Sequence, residues 1–371
     1  MNIEERLSSI EIIENAINNP KLRVVSACAP STRVAIGEMF GMEVGLNLKG
    51  KLVSALKKLG FDDVFDLDFA ADLTVVEEAN ELASRIISGK NLPHLTSCCP
   101  AWVKYVEKFY PDFRKNLSST KSPQQIFGAI AKTYYAEKLG VKPERLFVVT
   151  IMPCLAKRLE RLKQNINVSN GLDVDAVLTV RELGEFLKQK NIDFASLDDM
   201  PFDKTFGMAS GAGVIFGTSG GVLEAALRTV SDKLEKKPIS KLDYLLVRGS
   251  EGIRETQIKI ADKNIKVAVA SGLNNAKILL ERIKSGEKFD FVEIMACPGG
   301  CVNGTGMPFY PREFDKSPII KKRASGLYKS DLKNSVRKSH NNEVVQNLYR
   351  TYLGEVGGEK AKKLLHIKKP E

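Results

Sequence analysis

The stretch LFVVTIMPC at residues 146–154 decides the predicted fold, because it joins a buried strand to a cysteine. Residues 146–152 are rich in β-branched side chains and almost continuously apolar, which is typical of a strand covered on both faces. Such strands form parallel sheets whose two faces are covered by helices. Cys154 follows this strand directly, and ligand sites in open α/β sheets form beyond the carboxyl ends of strands.

The other cysteines also follow strand-like runs. Residues 22–27 precede Cys28, residues 92–95 precede Cys98 and Cys99, and residues 289–295 precede Cys297. Because the carboxyl ends of parallel strands can open on one crevice, we expect cysteines from several strands to converge there.

Helical patterns alternate with these strands, as they do in α/β proteins. The predicted helices are one opened by Ser31, one from the capping box at 74–77 to about Gly89, and one from Ser122 to Gly140. We predict a single α/β domain of two lobes, each a small, mostly parallel sheet flanked by helices, with a metal cluster in the crevice between them. The lobes are placed at 22–145 and 146–309. A basic helical segment follows at 310–371, with its best helix at 332–352.

The composition favours a soluble protein with a large core. With 43% hydrophobic and 27% charged residues among 371, the chain is neither disordered nor fibrous. No apolar stretch approaches the ~20 residues that span a bilayer, and the acidic first six residues are unlike a signal peptide. These features predict a cytoplasmic location. The net charge of +11 favours an acidic partner, and because the basic runs contain no interleaved aromatics, nucleic acid is not expected.

Six cysteines in a chain of this length are too few for a disulfide framework, so metal ligation or catalysis is favoured. Cys297 and Cys301 flank Pro-Gly-Gly, and glycines let a backbone turn closely around a metal. The pair by itself also fits two buried apolar side chains or a zinc site. Structural zinc usually takes closely paired ligands, whereas Cys99 and Cys154 are isolated, which favours an iron–sulfur cluster.

A proton path is a second hypothesis from the spacing. Adjacent cysteines rarely bind one metal together, so one of Cys98 and Cys99 can remain a free thiol that exchanges protons. Glu78, Glu81 and Arg85 share one face of a predicted helix, which is either a solvated stripe or a relay toward that thiol. Glu77 lies off this face, so we expect its replacement by Gln to have little effect.

Three cysteine motifs together resemble those of the iron-only (FeFe) hydrogenases, in that family's order and at about its spacing. They are TSCCPAW at 96–102, MPCLAKRLE at 152–160 and MACPGGC at 295–301. Residues 29–31, 116–127, 210–228 and 337–342 resemble further blocks of the family, so the similarity runs from about residue 20 to the end. The resemblance implies a catalytic domain without accessory ferredoxin-like domains, which interconverts dihydrogen with protons and electrons.

The resemblance also implies a cofactor and its residues. The H-cluster of the family joins a 4Fe–4S cubane to a two-iron subcluster with CO, cyanide and azadithiolate ligands. By similarity, the cubane ligands are Cys99, Cys154, Cys297 and Cys301, the last also bridging to the subcluster. The same similarity places Pro30, Ser31, Gln124, Met152, Lys157, Phe216 and Met295 around the pocket. It makes Cys98, Glu78, Ser118, Glu81 and Arg85 the proton path.

The implied partners are an acidic electron carrier, ferredoxin by expectation, and maturases that supply the two-iron subcluster. Two alternatives within the resemblance are a non-catalytic hydrogen sensor and an iron–sulfur assembly factor like the eukaryotic hydrogenase-like proteins. Sensor relatives tend to lose the proton path, and the assembly factors carry extra amino-terminal cysteines that are missing from this sequence.

Residues 304–308, Gly-Thr-Gly-Met-Pro, depart from the family's Gly-Gly-Gly-Gln-Pro, which predicts altered surroundings of the cluster. We expect His94 to have a structural or surface role rather than to be a ligand.

Overall fold

The computed structural model describes residues 8–163, 165–250, 252–311 and 313–367. The first six residues, on which the expectation about a signal peptide depends, lie outside the described residues, as does the end of the predicted basic segment. The strands, in chain order, are β1 Arg23–Cys28, β2 Asp63–Asp66, β3 His94–Leu95, β4 Leu146–Met152, β5 Ala176–Thr179, β6 Ile253–Ile260, β7 Lys263–Ser271 and β8 Phe291–Met295.

These strands form two four-stranded sheets, which confirms the predicted α/β class of two lobes. The first sheet has the order β2-β1-β4-β5 and is entirely parallel. The second has the order β3-β8-β7-β6, in which only the β6–β7 hairpin at the edge is antiparallel. The predicted boundary between residues 145 and 146 does not match the sheets, because β4 pairs with β1 and β3 pairs with β8. The chain crosses between the lobes, since parallel neighbours need long crossover connections.

Helices cover the sheets and continue to the carboxyl end of the described chain. The α-helices are α1 Ser9–Ile17, α2 Pro30–Arg33, α3 Lys49–Leu59, α4 Leu67–Ser88, α5 Pro100–Phe109, α6 Pro123–Ile130, α7 Ala136–Leu139, α8 Ala156–Glu160, α9 Val180–Gln189, α10 Gly211–Ile215, α11 Gly221–Glu235, α12 Leu273–Lys284, α13 Ser317–Lys333, α14 Glu343–Leu348 and α15 Glu359–Leu365. A π-helical turn at Ala131–Tyr135 joins α6 to α7, so the helix that begins after Ser122 ends before Gly140 as predicted. No helix in the described part of the chain is long and apolar enough to cross a membrane.

The central helix α4 begins seven residues earlier than predicted. Its N-cap is Asp66, whose carboxylate accepts a hydrogen bond from the Asp68 N–H, and not the predicted capping box at Thr74. The Thr74 hydroxyl donates instead to the Ala70 carbonyl at 3.0 Å, one turn back within the helix. The first turns of α4 are buried on all sides, and a helix without a solvated face has no amphipathic pattern to mark its start.

The predicted helix over 332–352 is interrupted. Helix α13 ends at Lys333 and α14 begins at Glu343, with a π-helical turn at Tyr349–Leu353 after it. The interrupted segment contacts Asp72 of α4, which is fully buried. The Asp72 carboxylate accepts hydrogen bonds from the Ser339 hydroxyl and the Asn342 amide. Burial raises the pKa of Asp72 to about 6, although these hydrogen bonds act against it. A carboxylate fixed on α4 thus sets where the carboxyl-terminal segment leaves its helix.

The carboxyl ends of four strands meet around one cavity. Residues after β1 and β4 of the first sheet, and after β3 and β8 of the second, all line it. The cavity cysteines follow β4 of the first lobe and β3 and β8 of the second, as the strand-end argument predicts, but the prediction is wrong for Cys28, which lies within β1 and does not line the cavity.

Candidate metal centre

Cys98 and the four predicted ligands line the central cavity, the latter being Cys99, Cys154, Cys297 and Cys301. Cys99 is the N-cap of α5, Cys154 lies between β4 and α8, and the other two lie on the loop after β8. None of them forms a disulfide. Four thiols from three distant segments are a donor set that suits an iron–sulfur cluster held between two lobes.

The loop between the last two cysteines requires its glycines. Gly299 and Gly300 adopt left-handed φ values of 82° and 92°. A Cβ on Gly300 would lie 2.6 Å from the Ser219 nitrogen, and one on Gly299 would lie 2.4 Å from Ile320. The Val302 N–H donates to the carbonyl of Gly217, so the glycine-rich segment at 211–221 packs against this loop. Close backbone approach explains both sets of glycines.

The wall of the cavity is mostly apolar. The structure brings the predicted pocket residues together there, namely Pro30, Ser31, Gln124, Met152, Lys157, Phe216 and Met295. The Ser31 hydroxyl is buried and has no hydrogen-bond partner among the described residues. Buried polar atoms are nearly always paired, so this hydroxyl has capacity for a ligand in the cavity. Four convergent thiols and one unpaired hydroxyl in an apolar wall fit the predicted cluster.

A fixed positive charge lies at the cavity wall. The Lys157 ammonium donates to a Glu160 carboxylate oxygen at 2.8 Å and to the Cys98 carbonyl at 3.0 Å. Burial alone would lower the pKa of Lys157, but Glu160 outweighs it and the pKa is raised, so the side chain stays charged. Glu160 also accepts from Ser122 and Gln124. This carboxylate is a residue that the sequence analysis missed, although its position three residues after Lys157 was a usable signal.

The predicted proton path runs along α4 away from the cavity. Cys98 lines the cavity, and burial together with the nearby Glu78 carboxylate raises the pKa of its thiol well above the ordinary value. Glu81 lies one turn after Glu78 and accepts a hydrogen bond from the Ser118 hydroxyl at 3.4 Å. The Arg85 guanidinium donates to the other Glu81 oxygen at 2.5 Å. Glu81, Ser118 and Arg85 line a second cavity, whereas Cys98 lines the first.

Ser119 is a further contact of this path that the spacing did not indicate. Its hydroxyl and its N–H each lie 3.0 Å from a Glu81 carboxylate oxygen. Burial by itself raises the pKa of Glu81, but His94, Arg85 and the Ser119 hydrogen bonds outweigh it and lower the pKa. Glu81 is therefore ionised at neutral pH and able to accept a proton.

The contacts of Glu77 argue against the prediction that its replacement by Gln has little effect. It is fully buried, and its carboxylate accepts hydrogen bonds from the Tyr349 hydroxyl at 2.5 Å and the Gly357 N–H at 3.0 Å. His366 lies 2.9 Å from it. Glu77 thus holds the carboxyl-terminal segment on α4. Helical periodicity could not show this, because α4 is packed against other elements on more than one face.

The two departures from the family motif have distinct surroundings. The Leu155 N–H donates to the Thr305 hydroxyl at 3.1 Å, and that hydroxyl donates to the Cys154 sulfur at 3.9 Å. Met307 is buried in the core of the first lobe. The Arg181 guanidinium donates to the carbonyls of both Thr305 and Met307, which fixes the loop.

A crevice between two α/β lobes, with four thiols and a charged lysine at its wall, defines the class of protein as one that can hold an iron–sulfur cluster. Comparison with known families agrees with this class. Residues 22–305 match the family described as "Iron only hydrogenase large subunit, C-terminal domain", and residues 317–368 match "Iron hydrogenase small subunit". The chain belongs to the iron-only (FeFe) hydrogenase family.

Individual relatives show the extent of the likeness. Iron hydrogenase 1 of Clostridium pasteurianum is 44% identical over 366 residues, covering 97% of this chain and 63% of that protein. The NADP-reducing hydrogenase subunit HndD of Solidesulfovibrio fructosivorans is 45% identical over 364 residues, covering 96% and 61%. This chain therefore spans a little over three fifths of the length of these two relatives. A cytosolic Fe–S cluster assembly factor of Danio rerio is 30% identical over 354 residues, covering 92% of this chain and 85% of that protein.

Among solved structures, an apo FeFe-hydrogenase variant from Chlamydomonas reinhardtii matches with a TM-score of 0.86 and 39% identity. The match covers 97% of this chain and 98% of that one, so this fold occurs there at nearly equal length. Other structures of that family describe H-cluster assembly and its two-iron subcluster. The H-cluster, which the sequence analysis predicted as the cofactor, is the cofactor of this family.

Proposed function

We propose that this protein is a hydrogenase, which interconverts dihydrogen with two protons and two electrons. The observation that best supports this proposal is that one cavity contains both the four thiols and the protonated Cys98, which lies at the end of a buried carboxylate path. When bound, the H-cluster would supply the electrons and the metal site for dihydrogen.

The residues of the chain divide the remaining work. Cys99, Cys154, Cys297 and Cys301 are the proposed cluster ligands. The Lys157 ammonium and the Ser31 hydroxyl orient anionic ligands of the two-iron subcluster, since both are polar groups in an apolar wall. The other pocket side chains exclude water. Cys98 holds a proton at the cavity, and Glu78, Ser118, Glu81 and Arg85 pass protons between it and the surface.

Infrared spectroscopy tests the proposal. Protein matured anaerobically with hydrogenase maturases is expected to show CO and cyanide bands and to evolve dihydrogen from reduced methyl viologen. The same chain produced without maturases is expected to hold the cubane at most and to evolve no dihydrogen. A matured protein with the bands but no turnover would favour the hydrogen-sensor alternative. A matured protein with neither would favour the assembly-factor alternative.

An acidic electron carrier is the proposed partner, and α8 offers a surface for it. Leu155, Leu159 and Leu162 are 42%, 61% and 53% exposed, immediately after the cluster cysteine Cys154. Helix α5, which packs against α8, exposes Lys104 and Lys108. We call the three leucines the α8 apolar patch. Apolar contacts surrounded by cations suit a small acidic protein such as ferredoxin, and the net charge of +11 attracts it.

Replacing Leu159 with Glu is expected to lower kcat/KM for reduced ferredoxin about tenfold, because a like charge is placed in the contact. Turnover with reduced methyl viologen should not change. The matched control is Leu246→Glu, since Leu246 is 72% exposed in the other lobe. Ferredoxin-driven turnover of the wild type should also fall steeply above ~0.2 M salt, where charge attraction is screened. Equal effects of both variants, or no effect of Leu159→Glu, would place the carrier elsewhere.

Thr305 is expected to tune the cubane, because a hydrogen bond to a ligand sulfur stabilises the reduced, more negative cluster. Thr305→Val keeps the shape but removes the donor. A hydrogen bond worth about 1 kcal/mol corresponds to a potential about 40 mV more negative for a one-electron couple. Redox titration followed by electron paramagnetic resonance measures it. Thr305→Ser restores the hydroxyl and should restore the potential, whereas an unchanged potential in Thr305→Val would exclude this role.

The cytoplasmic location stays a prediction. One relative, 41% identical over 310 residues, is named a periplasmic hydrogenase large subunit, so the family occurs in more than one compartment. Cell fractionation with activity measurement decides it.

A further inference from the structure

His94 is a fully buried histidine whose ring nitrogens have no hydrogen-bond partner among the described residues. Its backbone N–H donates to the Asp290 carbonyl at 2.8 Å, and β3 places it beside Phe291. The imidazole lies against the Phe291 ring, with 5.5 Å between the ring centroids. The backbone therefore explains the strand but not the choice of a histidine.

The neighbour of that imidazole is Glu78. The His94 Nε2 atom lies 3.5 Å from the Glu78 Oε1 atom, and the two side chains are 0% and 2% exposed. The other Glu78 oxygen also lacks a hydrogen-bond partner among the described residues. A carboxylate buried by itself would cost several kcal/mol, and the His94 imidazole is the polar group that faces it across this contact.

This pair lies in the middle of the proposed proton path. Glu78 precedes Glu81 by one turn of α4, and His94 helps to lower the pKa of Glu81. From β8, the buried Glu293 also faces the pair, and burial raises its pKa to about 7, with the charge of Glu78 contributing. His94 thus acts on two carboxylates of the path at once.

We propose that His94 is a positioning residue of the proton path, which holds the Glu78 carboxylate in place across the 3.5 Å contact between Nε2 and Oε1. The inference depends on the proposed hydrogenase function. In the direction of dihydrogen evolution, Cys98 gives its proton into the cavity, takes one from Glu78, and Glu78 is reprotonated from the Ser118 side. The imidazole keeps the carboxylate oriented for both transfers.

The first test needs no cluster chemistry. The sequence contains three histidines, so the full chain labelled at histidine gives few ring signals in nuclear magnetic resonance, and His94→Gln assigns one of them. Glu78→Gln is expected to shift the nitrogen-15 signal of His94 Nε2 at neutral pH, because it removes the carboxylate that lies 3.5 Å from this atom. The signals of His340 and His366, which contact Asp232 and Glu77, should not move. An unchanged His94 Nε2 signal would overturn the proposal.

The second test uses the matured enzyme. His94→Gln is expected to lower turnover about tenfold and to change the pH profile of kcat, with iron content and infrared bands as in the wild type. The control is His340→Gln, which alters a half-buried histidine outside the path. A pH profile of His94→Gln that superimposes on the wild type would reject the proposal. If the wild type itself makes no dihydrogen, the proposed function fails, and the resonance experiment still decides the coupling.

Discussion

Cys98→Ser is expected to abolish nearly all hydrogen turnover while iron content stays at the wild-type level. Burial and the Glu78 charge keep the Cys98 thiol protonated beside the cavity, where it can give a proton and take one back. Serine keeps the shape, but its hydroxyl is a far weaker acid than a thiol. Because a positioned acid contributes about 10²–10⁴-fold to a rate, we expect at least about a hundredfold loss.

Dihydrogen evolution from reduced methyl viologen measures this loss, with iron analysis and infrared spectra on the same samples. The control is Cys28→Ser, because Cys28 is a fully buried cysteine that does not line the cavity. It places the same hydroxyl in the core at a similar cost in stability, yet should retain turnover. Activity of Cys98→Ser within about threefold of the wild type would remove Cys98 from the path, since a positioned acid contributes far more.

Glu81→Gln is expected to reduce turnover more than about tenfold, because the amide cannot carry a proton between Ser118 and Arg85. The variant also loses stability. Since the pKa of Glu81 is lowered in the folded protein, its carboxylate contributes stability at neutral pH that is lost as the pH falls through that lowered pKa. The stability difference from wild type should therefore be larger at neutral than at acid pH, as denaturant titration can measure.

A control must separate proton transfer from this loss of stability, and Glu77 cannot serve because it holds the carboxyl-terminal segment. Glu224→Gln is better matched. Glu224 pairs with Arg228 four residues later on α11, as Glu81 pairs with Arg85 on α4, and it lies outside the path. Glu224→Gln should lose stability but keep turnover per folded molecule. If both variants lose turnover in proportion to stability, Glu81 acts through packing and not through proton transfer.

Sequence motifs were sufficient for most of the candidate site, because ligands follow strand ends and strand ends are visible locally. Strand β4 and Cys154 lie where the apolar run places them, and the three cysteine motifs carry the pocket residues with them. The sequence showed Glu160 only as part of a motif. Its role as a hydrogen-bond acceptor could not be predicted, because the donors Ser122 and Gln124 come from a distant part of the chain.

Other roles could be assigned only after the chain was folded. The spacing distinguishes Glu77 from Glu78 only by helix face, but in the structure His366 contacts Glu77 and His94 approaches Glu78. Likewise, Asp72 of α4 decides where the helix predicted over 332–352 is broken. A buried carboxylate must find partners wherever the tertiary structure brings them, and no local pattern records which residues those are.

The sequence by itself determined the α/β class, the cysteines at strand ends and the membership of a metal-cluster family, because each of these depends on short-range pattern and residue type. Tertiary structure alone decided the crossing of the chain between the sheets, which pairs β1 with β4 and β3 with β8. It also decided the His94–Glu78 contact and the break in the carboxyl-terminal helix. The physical reason is that strand pairing and the neutralisation of buried charge depend on residues far apart in sequence, which become neighbours only when the two lobes close around the cavity.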